Sequence, residues 1–149
     1  MVLDISVKKF FNIFLILLSL QISAISVFAA ELKCAVCGMP ISDHAKNHIL
    51  MNGNDKAPMH VCSLSCVKKT LKHDSNYTKV EVADFNDPEK MISADSAFFL
   101  IKSDKIKSDL GDKVMGPYFG AFSSQAEATA AQKKYGDGSV IQGIQNAIK

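Results

Sequence analysis

Four cysteines fall into two short-range pairs, Cys34-Ala-Val-Cys37 and Cys62-Ser-Leu-Ser-Cys66, and the distinctive chemistry of the chain gathers around them. Two thiols separated by two residues and followed by Gly38 form a tight turn that can aim both sulfurs at one atom. Glycine tolerates the left-handed backbone such turns often use. Met39 places a thioether beside the thiols. Thiolate and thioether together favour soft metals, Cu(I) above all, whereas four thiolates without the methionine suit Zn(II) in a closed tetrahedral site. An even cysteine count in an oxidising compartment is also compatible with disulfides. On the residues alone, copper, zinc held by Cys34, Cys37, Cys62 and Cys66, and disulfides remain open.

Other candidate ligands are weaker. His60 stands two residues before Cys62, on the same face of a regular strand, and is the best histidine for a further ligand; an edge-strand surface role fits it equally well. His44, His48 and His73 read as solvated. Met51 and Met59 read as core or surface methionines. Met115, beside Gly116 in a stretch interrupted by glycine and proline, reads on its own as a gap-filling core methionine.

The elements that must position these groups follow from local pattern. Lys8 and Lys9 precede an apolar run from Phe10 to Leu20, which fades into Val27-Phe28-Ala29-Ala30. That is the outline of a secretory signal peptide over residues 1–30, cleaved after Ala29, with an uncleaved membrane anchor as the alternative. Export then carries all four cysteines to a periplasmic or other oxidising compartment. Residues 31–149 form one domain. His48–Met51 and Ala57–Cys62 around Asn52-Gly53-Asn54 predict a hairpin, with Pro58 placing its second strand at an edge. Ser63 predicts the N-cap of a helix over Leu64–Lys72, with Leu64, Val67 and Leu71 on one face. Cys62 and Cys66 then flank a helix N-terminus, where free N–H groups and the helix dipole are expected to lower thiol pKa.

Further on, Lys79–Phe85 alternates with period two and predicts a half-buried strand, while Ala94–Ile101 predicts a second, more central one. Lys102–Lys113 reads as a solvated loop, and only the later part of Val114–Phe122 reads as strand. Ser124-Gln-Ala-Glu127 is a capping box, Gly136 a C-cap, and Ser139–Ile141 a short strand. The tail from Gly143 is too short to place. The halves thus read as two β–β–α-type units, 31–74 carrying the cysteine knuckle, hairpin and helix, and 75–149 carrying a strand pair, a helix and a final strand.

The net charge is +2, with no arginine and no tryptophan. Missing arginine forks and the lack of a long lysine run weigh against nucleic acid as a partner. No glycine-rich phosphate loop follows a strand, and no Ser/His/acid set has a telling spacing, so an enzyme is not expected.

Taken together, Cys34-x-x-Cys37-Gly38-Met39, Ala97-Phe98-Phe99-Leu100-Ile101, Met115-Gly116 and Ala121–Glu127 with Tyr135-Gly136-Asp137-Gly138 resemble the NosL family over nearly all of 31–149. The resemblance implies an α+β fold of two β–β–α-type units, shared with organomercurial lyase. It also implies an exported Cu(I)-binding chaperone of nitrous oxide reductase maturation. Its partner would be a copper acceptor protein or membrane assembly complex. It assigns copper to Cys37, Met39 and Met115. Separately, Cys37…Cys62-x-x-x-Cys66 is similar to the cysteine pattern of TRASH/YHS metal-binding modules. Two departures stand out: no lipoprotein processing site is visible, and Cys62 and Cys66 are extra to the pattern of many members. The resemblance therefore leaves the partner of Cys37 unassigned between Cu(I) and structural zinc.

Overall fold

Apolar alternation in the first half builds a sheet whose inner face is shared with the second half. The computed structural model describes residues 31–42, 44–111, 114 and 116–149. The expected signal peptide over 1–30 and the candidate ligand Met115 lie outside the described residues. β1 (Ile49–Gly53) and β2 (Met59–Val61) form the expected hairpin, pairing Ile49 with Val61 and Met51 with Met59. Its turn falls at Asn54 and Asp55, because Asn52 and Gly53, expected in the turn, extend β1 opposite Lys79 and Tyr77 of a later strand. Ile49, Met51 and Val61 are fully buried, as period-two alternation requires when one face meets a core. The chain then enters α1 (Leu64–His73), whose N-cap Ser63 accepts a hydrogen bond from the Cys66 N–H. A cap of this kind is worth about 1 kcal/mol.

β3 (Tyr77–Ala83) returns antiparallel to β1, with Val80 opposite Met51 and Val82 opposite Ile49, and β4 (Met91–Ser93) pairs with β3. The first sheet therefore runs β2-β1-β3-β4. The second sheet is centred on β5 (Phe98–Ile101), flanked by β6 (Phe119–Phe122) and β7 (Ser139–Gln142), all antiparallel. A single helical turn, α2 (Lys107–Leu110), interrupts the connection from β5 to β6. α3 (Gln125–Tyr135) lies between β6 and β7 and carries the expected capping box, Ser124 with Glu127, and a left-handed C-cap at Gly136. The chain closes with α4 (Ile144–Ala147).

Successive residues of β5 serve two cores. Phe99 packs toward the first sheet and α1 among Met51, Val67 and Val82, together with Phe119 and Ile144. Leu100 packs on the other face with Ile106, Phe122 and the α3 residues Ala128, Ala131 and Tyr135. The fold class is α+β, as expected, and β5 is central.

The structure corrects several local expectations. The strand expected at Lys79–Phe85 begins and ends two residues earlier. Ala94–Ile101 is not one strand: residues 94–96 turn, and β5 starts at Phe98. Ala94 and Ala97 are buried because the C-terminal segment lies on them, the Ile144 N–H donating to Ala94 O (2.8 Å) and the Gly143 N–H to Ala97 O (2.9 Å). The tail expected to be unplaceable is thus part of the core. β3 and β4 join the first sheet, so the second half supplies strands to both sheets.

Residues 102–113 are also more than a solvated loop where described. Ser103 and Ile106 are buried. Asp137 accepts from the Ser103 hydroxyl and from the N–H groups of Asp104 (3.1 Å) and Lys105 (3.3 Å). Asp109 is held by the Tyr135 hydroxyl and by Lys134 at 2.7 Å.

Candidate metal centre

The N-terminal cysteine pair sits in a closed turn. The Cys34 N–H donates to Met39 O and the Gly38 N–H to Cys34 O, both at 2.8 Å, and Lys33 bridges to Pro40 across the base. Gly38 has φ +73°, the left-handed conformation anticipated from its place after the second cysteine. This turn docks on the edge of the hairpin, where the Ala35 N–H donates to His60 O (2.9 Å). That contact brings Cys34 and Cys37 over the junction of β2 and α1, which carries Cys62 and Cys66. Asn47, buried at 5% exposure, donates its side-chain N–H to Cys62 O (2.8 Å) and fixes the approach to the helix.

The four Sγ atoms all lie within 4.8 Å of one another. Cys34 and Cys66 are 3.7 Å apart and buried; Cys37 and Cys62 are 3.4 Å apart on the open side. Four sulfurs about 2.3 Å from one tetrahedral ion would stand about 3.8 Å apart, so the cluster has the size of a four-thiolate cage. All four thiols are free.

Proximity also governs their protonation. Burial pushes the Cys34 thiol up, but hydrogen bonds from the backbone of Cys37 and Val36, then from the Cys37 thiol and the Cys62 backbone, bring it down to about 7. Cys62 is pushed up by burial, by hydrogen bonds with the Cys37 and Cys34 thiols, and by charge on Cys34. Cys66 is likewise raised by burial and by Cys34, with the Ser63 hydroxyl opposing in part. The expectation that the helix start lowers the pKa of its own cysteines is therefore overturned. The amides of the knuckle favour the thiolate of Cys34, whose charge in turn disfavours ionisation of Cys62 and Cys66.

Among the remaining candidates, His60 does not join the cluster; its Nδ1 lies 2.9 Å from Nε2 of His48, with the two rings stacked. His48 is accordingly half-buried rather than solvated, and burial followed by the charge of His60 lowers its pKa. His44 and His73 are exposed, as expected. Met51 is core, and Met59 accepts a hydrogen bond from the Thr70 hydroxyl at 3.7 Å.

A cavity of about 550 Å³ opens beside the sulfurs, lined by Cys37, Cys62 and Cys66. Met39 and Asn47 line it too, and across it lie Leu110, Gly111, Val114 and Gly116. The two chain neighbours of Met115 thus face the same space as Met39. Asn47 and Leu110 carried no ligand signal in the sequence, since one acts through its amide on a backbone carbonyl and the other only shapes a wall.

A family model described as NosL matches residues 26–145. The crystal structure of the copper chaperone NosL from Shewanella denitrificans matches with a TM-score of 0.58 at 21% identity, covering 74% of this chain and 86% of that one. At that identity the likeness speaks to the fold. No curated protein matches.

Proposed function

The chain belongs to the NosL family, and from that premise we propose that it is an exported Cu(I) chaperone. It would serve nitrous oxide reductase maturation or a related periplasmic cuproprotein. The neighbour in Shewanella denitrificans is a copper chaperone, and the soft donor set of this chain suits the same cargo. The observation that carries the reading is the convergence of four thiols at a cavity wall that also bears Met39, with Val114 and Gly116 on the same cavity. In this reading Cys37, Met39 and Met115 hold the ion, and Cys34, Cys62 and Cys66 surround it.

Exposed Cys37 marks the side from which an acceptor approaches. A sulfur ligand of the acceptor protein or membrane assembly complex can replace the chain's ligands one at a time, so the ion moves without the fold opening. Competition titration against a chromophoric Cu(I) chelator tests this. Met39→Ala and Met115→Ala are each expected to weaken binding about tenfold or more; unchanged affinity in both variants would remove the proposal.

The sulfur spacings favour one second reading, a structural zinc on Cys34, Cys37, Cys62 and Cys66. Elemental analysis of protein purified without added metal is expected to separate the two. About one zinc per chain, retained in both methionine variants and lost with stability on chelation, is the outcome for the stapled domain.

A further inference from the structure

Sequence spacing pairs the cysteines locally, 34 with 37 and 62 with 66, but the fold sorts them differently. Cys34 and Cys66 are 2% and 5% exposed beneath the knuckle, with Cys66 bordering the cavity, whereas Cys37 is exposed and Cys62 partly exposed. The two accessible sulfurs come from different pairs and lie 3.4 Å apart. We propose that Cys37 and Cys62 form a redox pair, oxidised to a disulfide when the cluster carries no metal, with Cys34 and Cys66 left as buried thiols.

The step needs a disulfide oxidant, either a small-molecule disulfide such as oxidised glutathione or a protein disulfide. The thiolate of Cys37, the sulfur an oxidant can reach, attacks one sulfur of that disulfide and expels the other as a thiolate. The thiol of Cys62 then gives up its proton as its sulfur attacks Cys37 Sγ in the mixed disulfide and expels the second thiolate. Two electrons pass from the pair to the oxidant. The two protons lost by Cys37 and Cys62 end on the two thiols released. The sulfurs approach from 3.4 Å to a bonded distance of about 2.05 Å, a movement that side-chain rotation and a small shift of the knuckle can supply.

Oxidation removes two of the four soft donors, including the one nearest the acceptor. A bound ion protects the pair by engaging its sulfurs, and an emptied site becomes oxidisable. The pair would therefore report occupancy and keep the spent chain from recapturing metal until a reductant restores it. Only this protection rests on the metal reading of the site; the pairing itself does not.

The test treats the reduced, metal-free protein with oxidised glutathione, then maps disulfides by non-reducing proteolysis and mass spectrometry. A peptide linking Cys37 to Cys62 is expected first. Cys34 should become alkylated only after unfolding, and Cys66, which borders the cavity, more slowly than either Cys37 or Cys62 does before oxidation. Cys62→Ser should stop with glutathione on Cys37, and Cys34→Ser should still form the bridge. A first-formed bridge from Cys34 to Cys37 or from Cys62 to Cys66 would overturn the proposal, because these small loops are what an unfolded chain closes most readily. A metal-free chain that has lost its far-UV signal before oxidation counts against it equally. The same mapping after loading with Zn(II) or Cu(I) should show oxidation slowed about tenfold or more. Correct pairing without that protection would keep the redox pair and reject the metal site instead.

Discussion

At the scale of single residues, the site depends on groups that touch no metal. Asn47 is buried and spends its side-chain amide on the Cys62 carbonyl, a group that begins the turn into α1. Truncation leaves that carbonyl without its partner in a dry setting, at a cost of about 1–3 kcal/mol. Asn47→Ala is therefore expected to lower the urea midpoint and to speed extraction of metal by a chelator, with all four cysteines still present. Gly38 contributes differently. A Cβ there would meet open space, so only the positive φ resists substitution, and Gly38→Asn should be tolerated better than Gly38→Ala. The cysteines, the glycine and their spacing were legible from the chain alone. The engagement of His48 with His60 was not, because it depends on strand register and on a ring stack across a hairpin.

Elements set how the far wall of the cavity is placed. Asp109 lies on α2, one residue before the cavity-lining Leu110, and ties this turn to the end of α3. Lys134, then the Tyr135 hydroxyl, hold its carboxyl down at about 2. A depressed carboxylate contributes stability that is present above its unfolded value, near 4, and lost as pH falls through about 2. The pair is largely hydrated, so the contribution stays below about 1 kcal/mol. Asp109→Asn should accordingly lower the urea midpoint slightly at pH 7, by a difference that shrinks as pH falls from about 4 towards 2. Hydrogen exchange is expected to rise at residues 107–111 in the variant, whereas a fall confined to other segments would reject this anchoring role. Helix caps were visible in sequence because their signals are local, and so was the hairpin, although Asn52 and Gly53 extend β1 and the turn itself falls at Asn54 and Asp55. The split between β4 and β5 was hidden, since Ala94 and Ala97 look like strand residues. The N–H groups of Ser96 and Ala97 turn back onto Ser93 O, and distant Gly143 and Ile144 donate to the carbonyls of Ala97 and Ala94.

Across the whole molecule, the first sheet does not own its core. Phe99, Phe119, Ala121 and Ile144 from the second half complete the cluster that contains Cys34 and Cys66. Ile144, fully buried near the chain end, closes that cluster over the turn before β5. Ile144→Ala should cost about 2–5 kcal/mol in chemical denaturation, the range for a large core truncation. The loss should appear as one cooperative transition monitored by both sheets' signals; two separated transitions would show that the shared core does not couple them.

What the chain alone determined was the chemistry available. Two thiol pairs, a thioether and a glycine turn announce a soft-metal or disulfide site, and alternation and caps announce an α+β fold. Which sulfurs face one another, which are buried and which are exposed were decided only by tertiary structure. Docking of the knuckle on β2 through the Ala35–His60 hydrogen bond crosses the two pairs. The C-terminal turn and the anchored segment over residues 102–111 then shape the core and the cavity beside them. Sequence spacing measures distance along the backbone, and these relations arise between segments that meet only when apolar faces leave water together.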